Sequence, residues 1–293
     1  MALRRFTLSV IQFSVSEDKC DNIRRAVAFI RTAVAAGSKL VALPECFNSP
    51  YGTQYFKYYA EEIPNGMTST ALSEVAKDCG VYVVGGSIPE CDGKNWYNTC
   101  TVWNPFGELI ATHRKLHMFD IDIPGGVQFK ESDILTPGKE LTTFQTEFCK
   151  IGLGICYDLR FEEIARLYRK QGCDMILYPG AFNMYTGPLH WEILLRTRAV
   201  DNQVFVAGIS PATDKSAKYV AYGHSMVVSP WGKILTQAEH EDAILYAQIN
   251  LDEIKDARSQ IPTGDQRRHD LYETIYKACG HCSNIPCNPT SKH

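Results

Sequence analysis

Hydrophobic positions along the chain follow two rhythms. Short runs with a two-residue period, or apolar throughout, predict strands at 6–12, 39–43, 81–88, 97–103, 108–113, 150–155, 174–179, 204–209, 224–228 and 243–249. Between several of them apolar residues recur every three or four positions. Ile23, Ala26, Val27, Ile30, Ala33 and Val34 mark a helix capped by Asp18 or Asp21 and stopped by Gly37, and further helices are predicted over 68–79, 162–171 and 191–201. Asn104-Pro105-Phe106-Gly107 and Pro230-Trp231-Gly232 read as turns. The rhythm of the first half returns in the second, with hairpin strands interleaved among strand–helix units. This predicts an α/β protein with mixed rather than purely parallel sheets. The aromatic stretch 46–65 and the stretch 120–136 carry no such period and read as long loops, which in compact domains are usually functional.

No composition break separates the halves, so one domain is expected over 1–275, followed by a loosely ordered tail, 276–293. A formal net charge of −3 with scattered basic residues excludes nucleic acid and anionic membrane as partners on charge grounds. No apolar run approaches the roughly 18 residues of a membrane span, and no signal or transit pattern opens the chain, which points to the cytoplasm. The eleven cysteines, an odd number set mostly in apolar or helical segments, read as free thiols in a reducing compartment. Cys279, His281, Cys282, Cys287 and His293 crowd the tail. A CxxC beside a histidine can bind zinc or act in redox chemistry, but a second pair at ligand spacing is missing. No metal or other cofactor is expected in the core, which has no HExxH, no paired ligand spacing and no phosphate-binding loop.

Candidate chemistry sits at strand ends. Glu45 follows 39–43, Lys115 follows 108–113 and Cys156 follows 150–155. If those strands share a sheet and a direction, the three side chains meet at one edge. A thiol is mostly protonated at neutral pH, so a carboxylate able to take its proton and an ammonium favouring the thiolate would activate it. Lysine can also hold the oxyanion of a tetrahedral intermediate, together with the Tyr157 backbone N–H. Two bland alternatives stand beside this: Cys156 as a packed apolar side chain, and Glu45 with Lys115 as an ordinary ion pair at a loop rim.

Leu43-Pro44-Glu45, His113-Arg114-Lys115-Leu116-His117 and Gly154-Ile155-Cys156-Tyr157-Asp158-Leu159-Arg160-Phe161 resemble, in order, the three signature segments of the nitrilase superfamily of carbon–nitrogen hydrolases. Longer pieces, among them the stretch from Pro44 to Gly52, Phe119-Asp120-Ile121-Asp122, Gly180-Ala181-Phe182-Asn183 and His190-Trp191-Glu192, resemble its omega-amidase branch. The resemblance runs from about residue 5 to about residue 272. It implies a four-layer αββα sandwich with two mixed sheets, assembled as a homodimer.

By the same resemblance Glu45 is the general base, Lys115 the oxyanion stabiliser and Cys156 the nucleophile. Glu131 matches a supporting second glutamate, where residue character alone gives a solvated loop carboxylate. The implied reaction is hydrolysis, by water and without cofactor, of the terminal amide of short dicarboxylate monoamides such as 2-oxoglutaramate and 2-oxosuccinamate. Arg160 and Tyr51 are candidates for the substrate's far carboxylate, Phe119, Phe182 and Asn183 for the walls. Arg160 can equally pair with Asp158, Glu162 or Glu163. Other hydrolases of the superfamily, acting on deaminated glutathione, N-carbamoyl amino acids or nitriles, remain alternatives, as does a non-catalytic interaction protein with a zinc-binding tail.

Overall fold

The computed structural model describes residues 4–125 and 127–277. Two mixed sheets carry the chain. In the first, the strands run in the order Ala243–Asn250, Arg5–Gln12, Leu40–Ala42, Tyr82–Val84, Trp96–Trp103, Leu109–Arg114, and Ile88–Cys91 extends the edge of Trp96–Trp103 on which Tyr82–Val84 pairs. The second runs Thr142–Gln145, Lys150–Leu153, Met175–Pro179, Phe205–Ile209, Met226–Val228, Ile234–Gln237. Successive pairings across both sheets read antiparallel, parallel, parallel, antiparallel, antiparallel. The two sheets therefore share one pairing pattern, although the first takes its outer strand, Ala243–Asn250, from the end of the chain.

Alternation in the first sheet decides its two faces. Leu8, Val10, Leu40, Ala42 and Val84 point into a core shared with Ile151, Leu153, Met175 and Leu177 of the second sheet. Their neighbours Ile11, Val41, Leu43 and Val83 face Ala26, Ile30 and Ala33 of the helix Lys19–Ala35 and Leu72, Val75 and Ala76 of the helix Met67–Cys79. Ile164, Ala165 and Tyr168 of the helix Glu162–Lys170, and Trp191, Leu195 and Ala199 of the helix Gly187–Asn202, cover the second sheet. The layers are thus helix, sheet, sheet, helix, as the resemblance implies. Each fully buried aliphatic side chain contributes about 1.5–3 kcal/mol to holding them together. Asp18, not Asp21, caps the first helix, its carboxylate accepting from the Asp21 amide at 3.0 Å.

Several expected elements change. The stretch 46–65 contains a helix, Thr53–Tyr59, whose Phe56 and Tyr59 turn inward three residues apart. The strand expected over 81–88 breaks at Gly85–Ser87 because the Leu43-Pro44 backbone comes too close: a Cβ on Gly86, at φ 54°, would lie 2.0 Å from the Pro44 carbonyl. The stretch 120–136 folds as a hairpin, Asp120–Asp122 with Gln128–Lys130, followed by a 3₁₀ turn, Glu131–Asp133. Strands Thr142–Gln145 and Ile234–Gln237 and the helix Asp252–Gln260 form without a strong sequence period.

Candidate active site

Glu45 and Lys115 do leave strands of one sheet running the same way, but the Cys156 strand belongs to the facing sheet. The site therefore forms between the sheets and not along one edge.

Leu40–Ala42 delivers Glu45 into a fully buried position, where Oε1 accepts from Asn98 Nδ2 at 2.8 Å and Oε2 from the Ala181 amide at 2.6 Å. Asn98 grips Lys115 as well, its carbonyl accepting from the Lys115 amide at 2.8 Å. Lys115 Nζ then lies 3.6 Å from Glu45 Oε1 and 2.7 Å from Glu131 Oε2. Neither the rim ion pair nor the solvated Glu131 survives, since all three side chains are buried without exposure. Glu131 is held from several directions: by Lys115, by the Phe119 amide at 2.7 Å and by the Tyr51 hydroxyl at 3.4 Å.

Cys156 opens the 3₁₀ turn Cys156–Arg160 just past the strand Lys150–Leu153, with φ 49°, a left-handed conformation that an L-residue adopts only when its surroundings impose it. Asp158 imposes it. Its Oδ2 accepts from the Ile155 amide at 2.9 Å, closing the turn, while its Oδ1 accepts from both the amide and Nδ1 of His117 at 2.9 Å. The Leu116 amide and His113 Nε2 approach at 3.3 and 3.4 Å. One buried carboxylate thus ties the cysteine turn of the second sheet to the lysine strand end of the first. Arg198 fixes the far side of the turn through the carbonyls of Leu159 at 3.1 Å and Arg160 at 3.0 Å. Gly180 allows the close approach, since a Cβ there would sit 3.0 Å from Cys156 Cα.

Electrostatics separates the roles. Burial raises the Glu45 carboxyl above the usual carboxylate range, the pull of Lys115 countering it only in part. Burial works to lower the Lys115 ammonium, but Glu131 and Glu45 outweigh it and the group lies above its ordinary value, so it is charged near neutral pH. Burial, then the charge of Glu45, pushes the Cys156 thiol well up. The resting pair is a neutral thiol beside a carboxylate of raised basicity. Asp158 goes the other way: burial pushes its carboxyl up, but the hydrogen bonds from His113 and His117 prevail and hold it well below the usual range.

Five of the six residues expected to contact substrate, Phe119, Tyr157, Arg160, Phe182 and Asn183, line one narrow pocket with Cys156. Tyr51 does not join them. It borders a larger cavity of about 340 Å³ on the Glu45 side and packs against Tyr219 with the ring centroids 4.5 Å apart and the planes tilted by 38°. Arg160 pairs with none of its acidic sequence neighbours. Its guanidinium lies over the Phe182 ring at 4.6 Å, its Nη1 donates to His190 Nδ1 at 3.1 Å, and among the described residues no carboxylate comes within 4.0 Å of it. Sequence reasoning missed Asn98, the Ala181 amide, Tyr219 and the tying role of Asp158. Asp158, two residues beyond Cys156, and Ala181, within Gly180-Ala181-Phe182-Asn183, left a signal by lying in recognised segments.

Among the described residues no cluster of three or more His, Cys, Asp or Glu side chains is arranged to hold a metal. The tail residues Cys279, His281, Cys282, Cys287 and His293 lie outside the described residues.

The fold is that of a carbon–nitrogen hydrolase. Residues 7–259 match the carbon–nitrogen hydrolase family, and the chain belongs to that family of enzymes. It is 56% identical to the omega-amidase NIT2 of Danio rerio over 270 residues, covering 92% of this chain and 97% of the relative, and 55% identical to that of Homo sapiens over 272 residues, covering 93% and 98%. Among solved structures, Saccharomyces cerevisiae Nit3, a member of branch 10 of the nitrilase superfamily, superposes with a TM-score of 0.83 at 42% identity, over 90% of this chain and 97% of that one.

Proposed function

We propose that the chain is an omega-amidase, hydrolysing the terminal amide of short dicarboxylate monoamides such as 2-oxoglutaramate and 2-oxosuccinamate to the dicarboxylate and ammonia through a Cys156 thioester. The observation that carries this reading is the burial of Cys156, Glu45 and Lys115 together between the sheets, with Lys115 Nζ 3.6 Å from Glu45 Oε1. The omega-amidase names of relatives 55–56% identical over more than nine-tenths of the chain support the reaction.

The geometry gives each group a step. Glu45 takes the thiol proton as Sγ bonds to the amide carbon, and Lys115 holds the oxyanion together with the Tyr157 amide. Glu45 returns the proton to the departing nitrogen as the C–N bond breaks. Water then adds to the thioester, giving its proton to Glu45, and the C–S bond breaks to regenerate the thiol. Glu131 keeps Lys115 charged and aimed. In the pocket beside Cys156, Arg160 is the one cation without a carboxylate partner among the described residues, and it is assigned to the substrate's far carboxylate. Phe119, Phe182 and Asn183 wall the pocket.

Two further expectations belong to this reading. A homodimer is supported by an exposed apolar stripe, Leu189, Ile193 and Val200, on one helix with Trp231 beside it. No helix among the described residues is long and apolar enough to cross a membrane, and their eight cysteines are all free, as befits the reducing cytoplasm.

The test is ammonia release from 2-oxoglutaramate, succinamate, glutamine, an N-carbamoyl-β-amino acid and a simple nitrile, together with dicarboxylate release from deaminated glutathione, with Cys156→Ala as blank. Preference for the first two establishes the omega-amidase. Activity confined to another member moves the same catalytic groups to a different substrate.

A further inference from the structure

Two carboxylates share the Lys115 ammonium, and they stand at unlike distances from it. Glu131 Oε2 touches Nζ at 2.7 Å, whereas Glu45 Oε1 is kept back at 3.6 Å. Attraction alone does not explain the gap. Both Glu45 and Lys115 are sealed from solvent, where an ammonium and a carboxylate draw strongly together. A carboxylate closed onto lysine is also a weaker base and is no longer free to meet the thiol.

Asn98 stands where such a closure has to be resisted. It lies in the strand Trp96–Trp103, is 1% exposed, and its Nδ2 donates at 2.8 Å to the same Oε1 that faces Lys115. The Ala181 amide takes the other oxygen at 2.6 Å, so the carboxylate is clamped at both ends by donors that carry no charge. The Lys115 backbone is pinned as well: its N–H donates to the Asn98 carbonyl and its carbonyl accepts from the Gly138 amide, each at 2.8 Å. One residue thus fixes both the tip of the glutamate and the root of the lysine. The Asn98 Oδ1 is buried and has no hydrogen-bond partner. Turning the amide over would aim that oxygen at the Glu45 carboxylate, so the carboxylate dictates the orientation and leaves the acceptor unpaired. Buried amides that serve packing alone are paired on both atoms, and this one is paired where it meets Glu45.

We propose that Asn98 is a positioning residue of the reaction, whose amide holds Glu45 apart from Lys115 so that the lysine serves the oxyanion while the glutamate stays free to carry the proton. The inference rests on the amidase reading, in which Glu45 is the base. The titratable groups around Glu45 are Lys115, Glu131 and Cys156, with Cys46, Tyr51 and Tyr219 also in its field, and Lys115 alone among them is a cation. Without the amide, the charged donor nearest Oε1 is that ammonium.

The experiment measures kcat, KM and the pH profile of kcat/KM on 2-oxoglutaramate for Asn98→Leu, which keeps the volume but cannot donate, and for Asn98→Val, a residue suited to a strand. In both, kcat should fall on the order of 10²-fold or more while KM changes less than about threefold. The acidic limb should move down by about one pH unit, because closing on a cation lowers the carboxyl. Mere loss of a hydrogen bond to the carboxylate moves the limb up, and a purely structural defect lowers kcat and leaves the limb in place. A limb that rises or stays therefore overturns the spacing role, and so does a kcat within about threefold of wild type. Glu45→Gln is measured alongside: turnover retained in it, or no hydrolysis by the wild type, defeats the amidase reading beneath the proposal whatever the Asn98 variants show.

Discussion

Lys115 Nζ sits 2.7 Å from Glu131 Oε2, and both side chains are completely removed from solvent. An ammonium in that position is tolerable only because carboxylates surround it, and a buried pair broken on one side costs about 3–5 kcal/mol. Glu131 is fully committed, to Lys115, the Phe119 amide and the Tyr51 hydroxyl. Glu45, at 3.6 Å, is left as the carboxylate that can exchange a proton with the thiol.

Glu131→Gln keeps one acceptor oxygen, turns the other, which meets either the Phe119 N–H or the Tyr51 hydroxyl, into an amide donor, and removes the charge that aims Lys115. We expect kcat to fall on the order of 10²–10³-fold, comparable to removing one oxyanion-hole donor. KM should change little, because the lost interaction acts on the oxyanion. Steady-state kinetics checks this, and an unchanged kcat refutes the supporting role.

Cys156→Ala and Cys156→Ser should reduce turnover to background while the melting temperature stays within about 3 °C of wild type, roughly 1–2 kcal/mol for a chain of this size. Ammonia release and thermal melting decide it. Full activity in either variant rules out the thioester.

How far the sequence reaches follows from what each element depends on. The strand Arg5–Gln12 is written in its alternation because Phe6, Leu8 and Val10 face the core between the sheets while the more polar Thr7 and Ser9 lie on its other face. Strands Thr142–Gln145 and Ile234–Gln237 lie at sheet edges, half exposed, and their residues carry little period. Glu45, Lys115 and Cys156 are legible as reactive types at strand ends. That they meet between two sheets depends on pairings distant in sequence. Glu131 looks solvated because its neighbours Lys130 and Ser132 are polar, and only its tertiary contacts to Lys115 and Phe119 bury it. Tyr219 and Asn98 carry no chemistry of their own and acquire a place in the site only through the fold.

Asp158→Asn should loosen the tie between the cysteine turn and the lysine strand. The folded carboxyl lies below its ordinary value of 3.8, so its stabilising effect is complete above about pH 5 and is lost as pH falls through and below 3.8. The variant should therefore be less stable than wild type at pH 7 by about 2–4 kcal/mol, a deficit that shrinks in acid. Denaturant unfolding at pH 7 and pH 3 measures it. A deficit independent of pH would falsify the charge-based account.

Arg160→Lys removes a planar fork that holds a carboxylate by two hydrogen bonds. KM for 2-oxoglutaramate should rise roughly 10–100-fold, the equivalent of about 1.5–3 kcal/mol for a bond to a charged group, and KM for an uncharged amide far less. Equal effects on both substrates would remove Arg160 from carboxylate recognition.

Glu45→Gln sets activity against stability. The carboxylate is the proton carrier of every step proposed here, so turnover should vanish. In the wild type, the acidic limb of kcat/KM should lie above the ordinary glutamate value of 4.5, because burial raises the folded carboxyl. The same shift fixes the sign for stability: a carboxyl raised in the folded state penalises folding once it ionises, fully so above its folded value and not at all below 4.5. Gln carries no charge to desolvate. Its amide nitrogen can meet Asn98 Oδ1, a buried oxygen without a partner, once the Asn98 amide turns over. The inactive variant should consequently melt at least about 2 °C above wild type at pH 7, a gain that disappears at pH 4.5. Calorimetry at the two pH values is the check, and an inactive variant that is less stable than wild type at pH 7 would mean that the Lys115 attraction outweighs the burial of Glu45.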